Sequence, residues 1–442
     1  MKKILFSVFA LALCVSALAD DNAKNNFTSH LKWSGFIRNY ATFDTRESLS
    51  SIEDFFYYLP KDCAYSSEGV DLNAQPCVTY AAITSRLILD VAGYKVNDMN
   101  VGAHVESDFY AGVSGVTGTA YMRLRQAFVT LSKNAWKMKL GQAWHPLAID
   151  MPDLISLNTG SPFNPFSRTP QIDFVWNFKG GWAAEAAAIW QMQYTSAGPD
   201  GQNANYIKYG MIPEFYLGGI YSNKSFLAKA GVDVLSLKPR NNNGKHHVSD
   251  RITTVSPFVY LQYKKGDLTL RGKAVFAEAG EHLNLNGGYG KSEVLSDGSF
   301  TYTPTRNLST WADVLFGKKL QGMLFVGYAK NFGTKSSLFS DNSLGNKTLA
   351  KADDLYFSKN SFSNMNQMFR VSPTAIYNFG PKLSVALEME VTDVQYGDYK
   401  KVTVSGSTGD TTVKCLDLHG LATDNLHWVI NHRLVGMIRY KF

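Results

Sequence analysis

The sequence has few charges, few cysteines and no long apolar stretch beyond its first twenty residues. Charged residues make up 18% of its 442 residues, the formal net charge is +7, and no block of like charges suggests a nucleic-acid-binding arm. Apolar runs stay shorter than the ~18 residues that indicate a transmembrane helix. The longest candidate, Trp182–Trp190, contains Glu185. An aromatic content of 13% argues against disorder, so these absences disfavour helical membrane, disordered and nucleic-acid-binding proteins.

The N-terminus has the three parts of a secretory signal. Lys2 and Lys3 precede the apolar stretch 4–18, and Ala17-Leu18-Ala19 forms a small-x-small cleavage site. We therefore expect residues 1–19 to be a signal peptide and residues 20–442 to form a single domain. A short membrane anchor is the alternative, and lipidation at Cys14 is disfavoured because the preceding Leu13 is large.

Only three of the four cysteines remain after that cleavage. Cys63 and Cys77 lie in one polar loop, while Cys415 is far away in the sequence. Secreted proteins encounter an oxidising compartment, so the sequence makes Cys63 and Cys77 a candidate disulfide and leaves Cys415 free or buried. The cysteines have no histidines at metal-site spacing, and we expect no metal and no cofactor.

Apolar residues from Leu31 onward alternate with a period of two, which is typical of half-buried strands. Sixteen segments of the chain have this pattern. They are 31–45, 79–94, 99–111, 119–132, 135–144, 170–178, 182–194, 210–219, 226–237, 252–264, 267–281, 306–317, 320–332, 367–379, 382–396 and 427–442.

The connections between these segments alternate between short and long. Short ones consist of turn residues, as in Lys133-Asn134, Lys265-Gly266 and Gly380-Pro381. Long ones include 46–78, 145–169 and 333–366. Short periplasmic turns, long outer loops and an even strand number are typical of outer-membrane barrels. We therefore predict an all-β fold, a transmembrane antiparallel β-barrel of about 16 strands in a bacterial outer membrane, with both termini periplasmic.

Aromatic residues support this prediction. Trp136 and Trp144 are eight residues apart on one strand face, as are Trp182 and Trp190 on another, which corresponds to roughly 20 Å along the membrane normal and suits two aromatic girdles. We expect this surface to contact outer-membrane lipid and lipopolysaccharide. The alternating last strand ends in Phe442, which resembles the terminal signal that the barrel assembly machinery reads.

Charged residues within the strands are predicted to face the lumen, because a lipid-facing charge at mid-membrane costs about 2–4 kcal/mol. If the last strand pairs with the first, the basic residues of neighbouring strands form one basic wall. The alternative is that they only solvate and cross-link the interior. The basic candidates are Arg38, Arg86, Arg123, Arg125, Lys137, Lys139, Arg271, Lys273, Arg370, Arg433 and Arg439. The acidic candidates are Asp90, Glu106, Asp108, Glu185, Glu214, Asp313, Glu388 and Glu390.

The third long connection, 145–169, is rich in proline and apolar residues, with Ser161-Pro162-Phe163-Asn164-Pro165-Phe166 at its centre. Such a loop is too apolar to extend into water. We expect it to fold into the lumen as a constriction loop, with Asp150, Asp153 and Arg168 directed at the basic wall. Packing at a subunit contact is the alternative.

Two stretches resemble trimeric outer-membrane porins of the phosphate-selective and related general-porin group. They are 123–129 (RLRQAFV) with 141–146 (GQAWHP), and 158–172, which contains NTG, PFNPF and RTPQI. The resemblance implies sixteen strands, a homotrimer, an inward third loop and passive solute passage, with basic residues at the constriction of anion-selective members. The inward acids Glu106, Asp108, Glu388 and Glu390 argue against strict phosphate selectivity.

The sequence therefore predicts a porin for passive diffusion of small hydrophilic solutes and ions, with weak anion selectivity. The alternatives are a substrate-specific sugar channel and a surface adhesion or binding barrel, since aromatic residues such as those of 55–58 can contact sugars or other surfaces. An enzyme is disfavoured because no G-x-S-x-G or HExxH motif occurs. His246-His247 and the Gly-rich 287–290 lack the context of a metal or phosphate site.

Overall fold

The computed structural model describes residues 30–51, 55–111, 120–358, 363–406 and 409–442, and these form a closed antiparallel β-barrel. The predicted signal peptide, residues 1–19, lies outside the described residues. Sixteen barrel strands are formed by the described residues. They are β1 (Leu31–Asp44), β2 (Arg86–Val96), β3 (Met99–Asp108), β4 (Arg123–Lys133), β5 (Trp136–Trp144), β6 (Arg168–Asn177), β7 (Trp182–Ile189), β8 (Glu214–Ser222), β9 (Phe226–Leu237), β10 (Ile252–Lys265), β11 (Leu268–Glu278), β12 (Phe300–Gly317), β13 (Leu320–Thr334), β14 (Met365–Asn378), β15 (Leu383–Asp398) and β16 (Asp424–Lys441).

Each strand pairs with the next one along the chain, and β16 pairs with β1 to close the barrel. At this seam Phe36 lies opposite Lys441, and Asp44 lies opposite Arg433. Closure gives each of the sixteen described barrel strands a neighbour on both sides, which removes the aggregation risk of exposed edge strands from the barrel wall. The predicted all-β barrel of sixteen strands is confirmed.

The period-two pattern of the sequence corresponds to the two faces of the barrel wall. Along β13, Leu324, Val326 and Tyr328 are exposed on one face, whereas Met323 and Phe325 are buried on the other. Successive side chains of a strand point to opposite faces. The apolar outer surface and the filled interior therefore both follow from the alternation.

The predicted strand 79–94 is interrupted. Residues Cys77–Ala81 pair with the second half of β1, and β2 pairs with its first half. Between them a turn forms, in which the Ser85 N–H donates to the Ala82 carbonyl at 3.1 Å, and the Arg38 N–H donates to the Ser85 hydroxyl at 3.1 Å. Because the turn bonds to the backbone of Arg38, pairing along β1 is interrupted between Cys77–Ala81 and β2.

The long connections contain short strands that the sequence analysis assigned to loops. One pair is Ser48–Ser51 with Phe56–Pro60, and Gly288–Val294 extends from β12. A separate three-stranded sheet consists of Leu349–Lys351, Gly409–Asp417 and Lys400–Gly406. The α-helix α1 (Asn205–Lys208) is a single turn. None of the helices in the described ranges has the length and apolar character needed to cross a membrane.

No disulfide joins Cys63 and Cys77 in the described residues, and Cys415 is buried, so the predicted disulfide is absent there. Cys77 is held in a strand opposite Asp44. The loop that contains Cys63 is organised by Asp71 instead, whose carboxylate accepts hydrogen bonds from Arg46 at 2.6 Å and from the Ala64 N–H at 3.0 Å. An ion pair thus supplies the cross-link that the cysteine spacing suggested.

Candidate functional site

The connection between β5 and β6, hereafter the third loop (residues 145–167), is hydrogen-bonded to side chains of the inner wall. On β15, Glu388 accepts from the Ile155 N–H at 2.8 Å, and Glu390 accepts from Ser156 Oγ at 3.1 Å and Asn158 Nδ2 at 2.8 Å. All of these groups are buried. Because both carboxyl groups accept hydrogen bonds from consecutive parts of the loop, they attach this segment to β15 at several points.

The third loop, which leaves the wall between β5 and β6, also contacts the distant strands β11 and β13. Lys273 Nζ of β11 donates to the Leu147 carbonyl at 2.8 Å and to Asn164 Oδ1 at 3.0 Å. Phe163 lies over Gly327 of β13, where an added Cβ would be 2.5 Å from the phenyl ring. A loop bonded to β11 and β15 crosses the interior and narrows it.

Part of the first long connection enters the interior as well, which the sequence analysis missed. Phe55–Leu59 are almost completely buried. Arg370 of β14 links the two loops, because its Nη2 donates to the Tyr58 carbonyl at 2.6 Å and its Nη1 donates to the Ser161 carbonyl at 3.1 Å. The available signal was the aromatic run 55–58, which is too apolar for a solvated loop for the same reason as 161–166.

Between these loops and the wall formed by β1 to β4 lies a cavity of about 260 Å³. Its most frequent lining residue is arginine. The five arginines are Arg38, Arg86, Arg123, Arg125 and Arg168. The aromatic residues of the lining are Phe56, Tyr110, Trp144, Phe166 and Tyr194. The predicted basic residues of strands one, two and four are thus brought together, and Arg168 joins them at the start of β6.

Three of these arginines are paired with acids of β3. Arg125 contacts Glu106 at 2.5 Å and Asp108 at 2.9 Å, while Arg123 donates two hydrogen bonds to Asp108 at 3.0 and 2.9 Å. Arg86 lies 3.4 Å from Glu106. Because Glu106 and Asp108 are paired within the basic wall, they reduce its charge without forming a separate acidic surface.

Arg38 and Arg168 differ because their side chains contact neutral acceptors. Arg38 Nε donates to Thr84 Oγ1 at 3.2 Å, and Arg168 Nε donates to Gln193 Oε1 at 3.0 Å. Both guanidinium groups also stack on aromatic rings. With five arginines and two carboxylates, the cavity wall carries about three net positive charges, and Arg38 and Arg168 contribute most to the excess.

Two loop tyrosines beside the cavity, Tyr58 and Tyr194, share a hydrogen bond of 3.3 Å between their hydroxyl groups. Burial raises the pKa of both hydroxyls above the ordinary tyrosine value. They therefore stay neutral at physiological pH, and the charge of the cavity comes from the arginines and carboxylates alone.

The acidic residues of the third loop do not face this basic wall. Asp150 pairs with Lys229 of β9 at 2.8 Å, and Asp153 pairs with Arg271 of β11 at 2.9 Å. Arg271 is also held by Asp313 at 2.8 Å. The first half of the loop lies next to these strands, so its acids find closer cations there than the arginines of β1 to β4.

The remaining predicted residues lie outside the cavity. Arg439 of β16 is directly opposite Arg38 in the seam. Lys139 pairs with Asp173 of β6 at 2.8 Å, and Lys137 is exposed on the same strand. Arg370 and Glu388 are hydrogen-bonded to the two inserted loops, as described above, and do not line the cavity.

Two groups of side chains have the composition and spacing of a metal site. His145, Glu214 and Asp233 are buried, and Asp62, Cys63 and His427 are half-buried. In each group the potential ligand atoms lie within 4.8 Å of one another. Sequence reasoning missed both, because their members come from distant strands and loops.

Comparison with known proteins identifies the fold. The outer-membrane channel DcaP of Acinetobacter baumannii is 16% identical and superposes with a TM-score of 0.61, over 93% of this chain and 97% of that one. This chain has a porin fold. The anion-selective porin of Comamonas acidovorans is 10% identical, with a TM-score of 0.50 over 93% of this chain and 99% of that one. No protein-family model matches the sequence. No curated protein matches it either.

The match extends along nearly the whole chain in both comparisons, so the porin fold describes the complete barrel and not one part of it. Identities of 10–16% establish the fold alone, and the solute must be argued from the side chains of this chain.

Proposed function

We propose that this protein is an outer-membrane channel for the passive diffusion of small hydrophilic solutes, with a preference for anions. The observation that carries the proposal is the arginine-lined cavity beside the third loop. A narrowed, charge-lined interior is what a size-limited aqueous channel requires, and rings of basic side chains favour anions in pores.

The anion preference rests on Arg38 and Arg168. Their guanidinium groups contact neutral acceptors and aromatic rings, so their charge is not cancelled by an adjacent acid as that of Arg123 is. Aromatic rings exclude water from around these guanidinium groups and so lower the local dielectric constant. A passing anion is therefore attracted more strongly than it would be in water. Planar guanidinium groups also match carboxylate and phosphate oxygens, which suits small organic acids and phosphate equally.

The location and assembly of the channel follow from the same proposal. We infer that residues 1–19 are removed on export, that both termini face the periplasm, and that Phe442 serves recognition by the barrel assembly machinery. We further infer that the outer surface contacts lipid and lipopolysaccharide and that three chains form a homotrimer. Cross-linking of the intact protein in membranes, followed by mass measurement, tests the trimer directly.

A sugar channel is the second candidate, because Tyr110, Trp144 and Tyr194 present rings to the cavity and aromatic rings stack on sugars. An adhesion barrel receives less support. The aromatic run of residues 55–58, which suggested a binding loop, is buried inside the barrel and offers no surface to an external partner.

The experiment is single-channel recording of purified protein in a planar bilayer under a salt gradient. We expect stepwise open conductance and a reversal potential of the sign that anion preference gives. Three-step closure would support the trimer. Current block by neutral sugars, without anion preference, would favour the sugar channel. No conductance from correctly folded protein would refute the channel.

A further inference from the structure

Four ionisable side chains from separate parts of the chain meet at the base of the third loop. His145 follows β5, Glu214 begins β8, Asp233 lies on β9, and His282 lies in the turn after β11. Each of them is at most 2% exposed. The group is hereafter called the histidine–carboxylate cluster, and it takes no part in the arginine cavity described above.

The distances within the cluster suit a shared cation. His282 Nε2 is 3.2 Å from Asp233 Oδ2 and 3.6 Å from Glu214 Oε1. A tetrahedral zinc site with nitrogen and oxygen ligands at about 2.0–2.2 Å has donor atoms roughly 3.3–3.6 Å apart. The two distances from His282 Nε2 to the carboxylates are therefore close to those that a single ion would impose, and the potential ligand atoms of Glu214 and Asp233 lie within 4.8 Å of each other.

Hydrogen bonds on the second ring nitrogens assign different roles to the two histidines. His282 Nδ1 lies 3.1 Å from the Ala279 carbonyl, so Nδ1 carries a proton, and Nε2 faces the Asp233 carboxylate at 3.2 Å, where a metal ion can take the place of a proton, as in most metal-ligating histidines. His145 Nδ1 accepts the Leu147 N–H at 3.1 Å. Its Nε2 therefore carries the proton, which it donates to Glu214 at 2.6 Å. His145 orients Glu214, and His282 is the ligand.

The cluster is also short of positive charge. The ion pairs of Glu214 and Asp233 within the described residues are with imidazoles alone, and His145 is neutral in the arrangement above. Asp233 Oδ1 is buried and receives no hydrogen bond from the described residues. Two buried carboxylates, one with an unused oxygen, are costly without a compensating cation. A divalent ion would balance the charges of both carboxylates and occupy the position that a proton on His282 Nε2 otherwise takes.

We propose that the histidine–carboxylate cluster binds a divalent transition-metal ion of the zinc class, with His282 Nε2, Asp233 and Glu214 as ligands and His145 as a positioning residue. Imidazole with carboxylate suits zinc and its neighbours better than magnesium or calcium, which prefer oxygen ligands. The fourth position belongs to water or to the second oxygen of Asp233.

The bound ion would strengthen the attachment of the third loop. The turn that contains His282 is bonded to the loop twice, because the Leu283 carbonyl accepts from the Phe166 N–H at 2.8 Å and Asn284 Nδ2 donates to Ser161 Oγ at 2.7 Å. A metal that fixes this turn to β8 and β9 fixes one end of the loop to the barrel wall.

Zinc content is the direct test. The folded protein in detergent is stripped with EDTA, incubated with Zn²⁺ alone, dialysed, and its metal measured by mass spectrometry. We expect about one zinc per chain in the wild type, and no zinc retained after dialysis by His282→Gln or by Asp233→Asn, because each loses a ligand. His145→Gln is expected to retain the site with roughly 10–100-fold weaker binding, as for other positioning residues.

The second group, Asp62 with Cys63 and His427, provides the matched control. His427→Gln is expected to bind zinc as the wild type does, and X-ray absorption is expected to show only nitrogen and oxygen ligands. Retained zinc in both His282→Gln and Asp233→Asn, loss in His427→Gln, a sulfur ligand, or no zinc in the wild type would each overturn the proposal. Retarded gel mobility on heating confirms that each variant is folded, and an overturned metal site leaves the conductance test unaffected.

Discussion

Replacing Arg38 and Arg168 with glutamine is expected to remove most of the excess charge of the arginine cavity. These two are the better targets because their side chains contact Thr84 and Gln193, so their removal leaves no carboxylate behind. Removing Arg125 instead would leave Glu106 and Asp108 without their shared partner, and breaking a buried pair in that way costs about 3–5 kcal/mol. The double variant changes the net charge of the wall from about three to about one.

The size of the effect follows from Coulomb's law. At an assumed distance of about 8 Å in water, each charge contributes about 0.5 kcal/mol to the energy of a passing ion. Screening at ~0.1 M salt reduces this to about 0.25 kcal/mol. Each arginine lowers the energy of an anion and raises that of a cation by this amount. Removing both arginines therefore changes the energy difference between an anion and a cation in the channel by about 1 kcal/mol, or the permeability ratio by about fivefold.

The assay is the reversal potential of single channels under a salt gradient, with the ratio of anion to cation permeability as the readout. The control variant Lys224→Gln with Lys347→Gln removes the same charge from exposed positions. We expect it to behave as the wild type, and we expect the effect of the arginine variant to shrink as salt rises. If the permeability ratio of a folded Arg38→Gln, Arg168→Gln channel were unchanged, these two residues would not lie on the path of the ions, and the reasoning would be refuted.

Three further outcomes are expected. Deleting residues 156–168 should raise single-channel conductance, because this segment crosses the interior, and an unaltered conductance would contradict that. Gly327→Ile should displace Phe163, since even a Cβ there comes within 2.5 Å of its ring; we expect altered conductance and a loss of about 1–3 kcal/mol in stability by denaturant titration. The wild type and the Cys63→Ser, Cys77→Ser variant should have the same heat resistance on gels, with and without reductant, because no disulfide joins the two cysteines in the structure, and a reductant-dependent loss in the wild type would restore the disulfide.

The barrel could be predicted from the sequence because its signal is local and repeated. Alternation along β13 or β16 is readable from a few neighbouring residues, and the sequence of short and long connections adds the topology. The interruption before β2 was not readable, since it depends on the turn at Ala82–Ser85 bonding to Arg38 of another strand.

The candidate site could be predicted only in part. Inward arginines follow from the cost of charge in lipid, and this reasoning selected Arg38, Arg86, Arg123 and Arg125. Their pairing did not follow, because β3 and β4 shift register at Glu106 and Ser107, and that irregularity decides which acid meets which arginine. Contacts such as Asp150 with Lys229 and the meeting of His145 with His282 join residues far apart in the sequence, where periodicity carries no information.

The β1–β16 seam has a consequence for how the protein folds. Every other neighbour pair in the barrel joins strands that follow one another along the chain, so hairpins can form early and locally. The seam joins Arg38 to Arg439, strands about 400 residues apart in the sequence, so this pairing cannot form locally and must wait until the strands between them are in place. Until that step the sheet has two free edges with unpaired N–H and C=O groups, which can pair with any other strand. We therefore expect the open sheet to be the aggregation-prone intermediate. We expect closure of the seam to be the rate-limiting step of assembly.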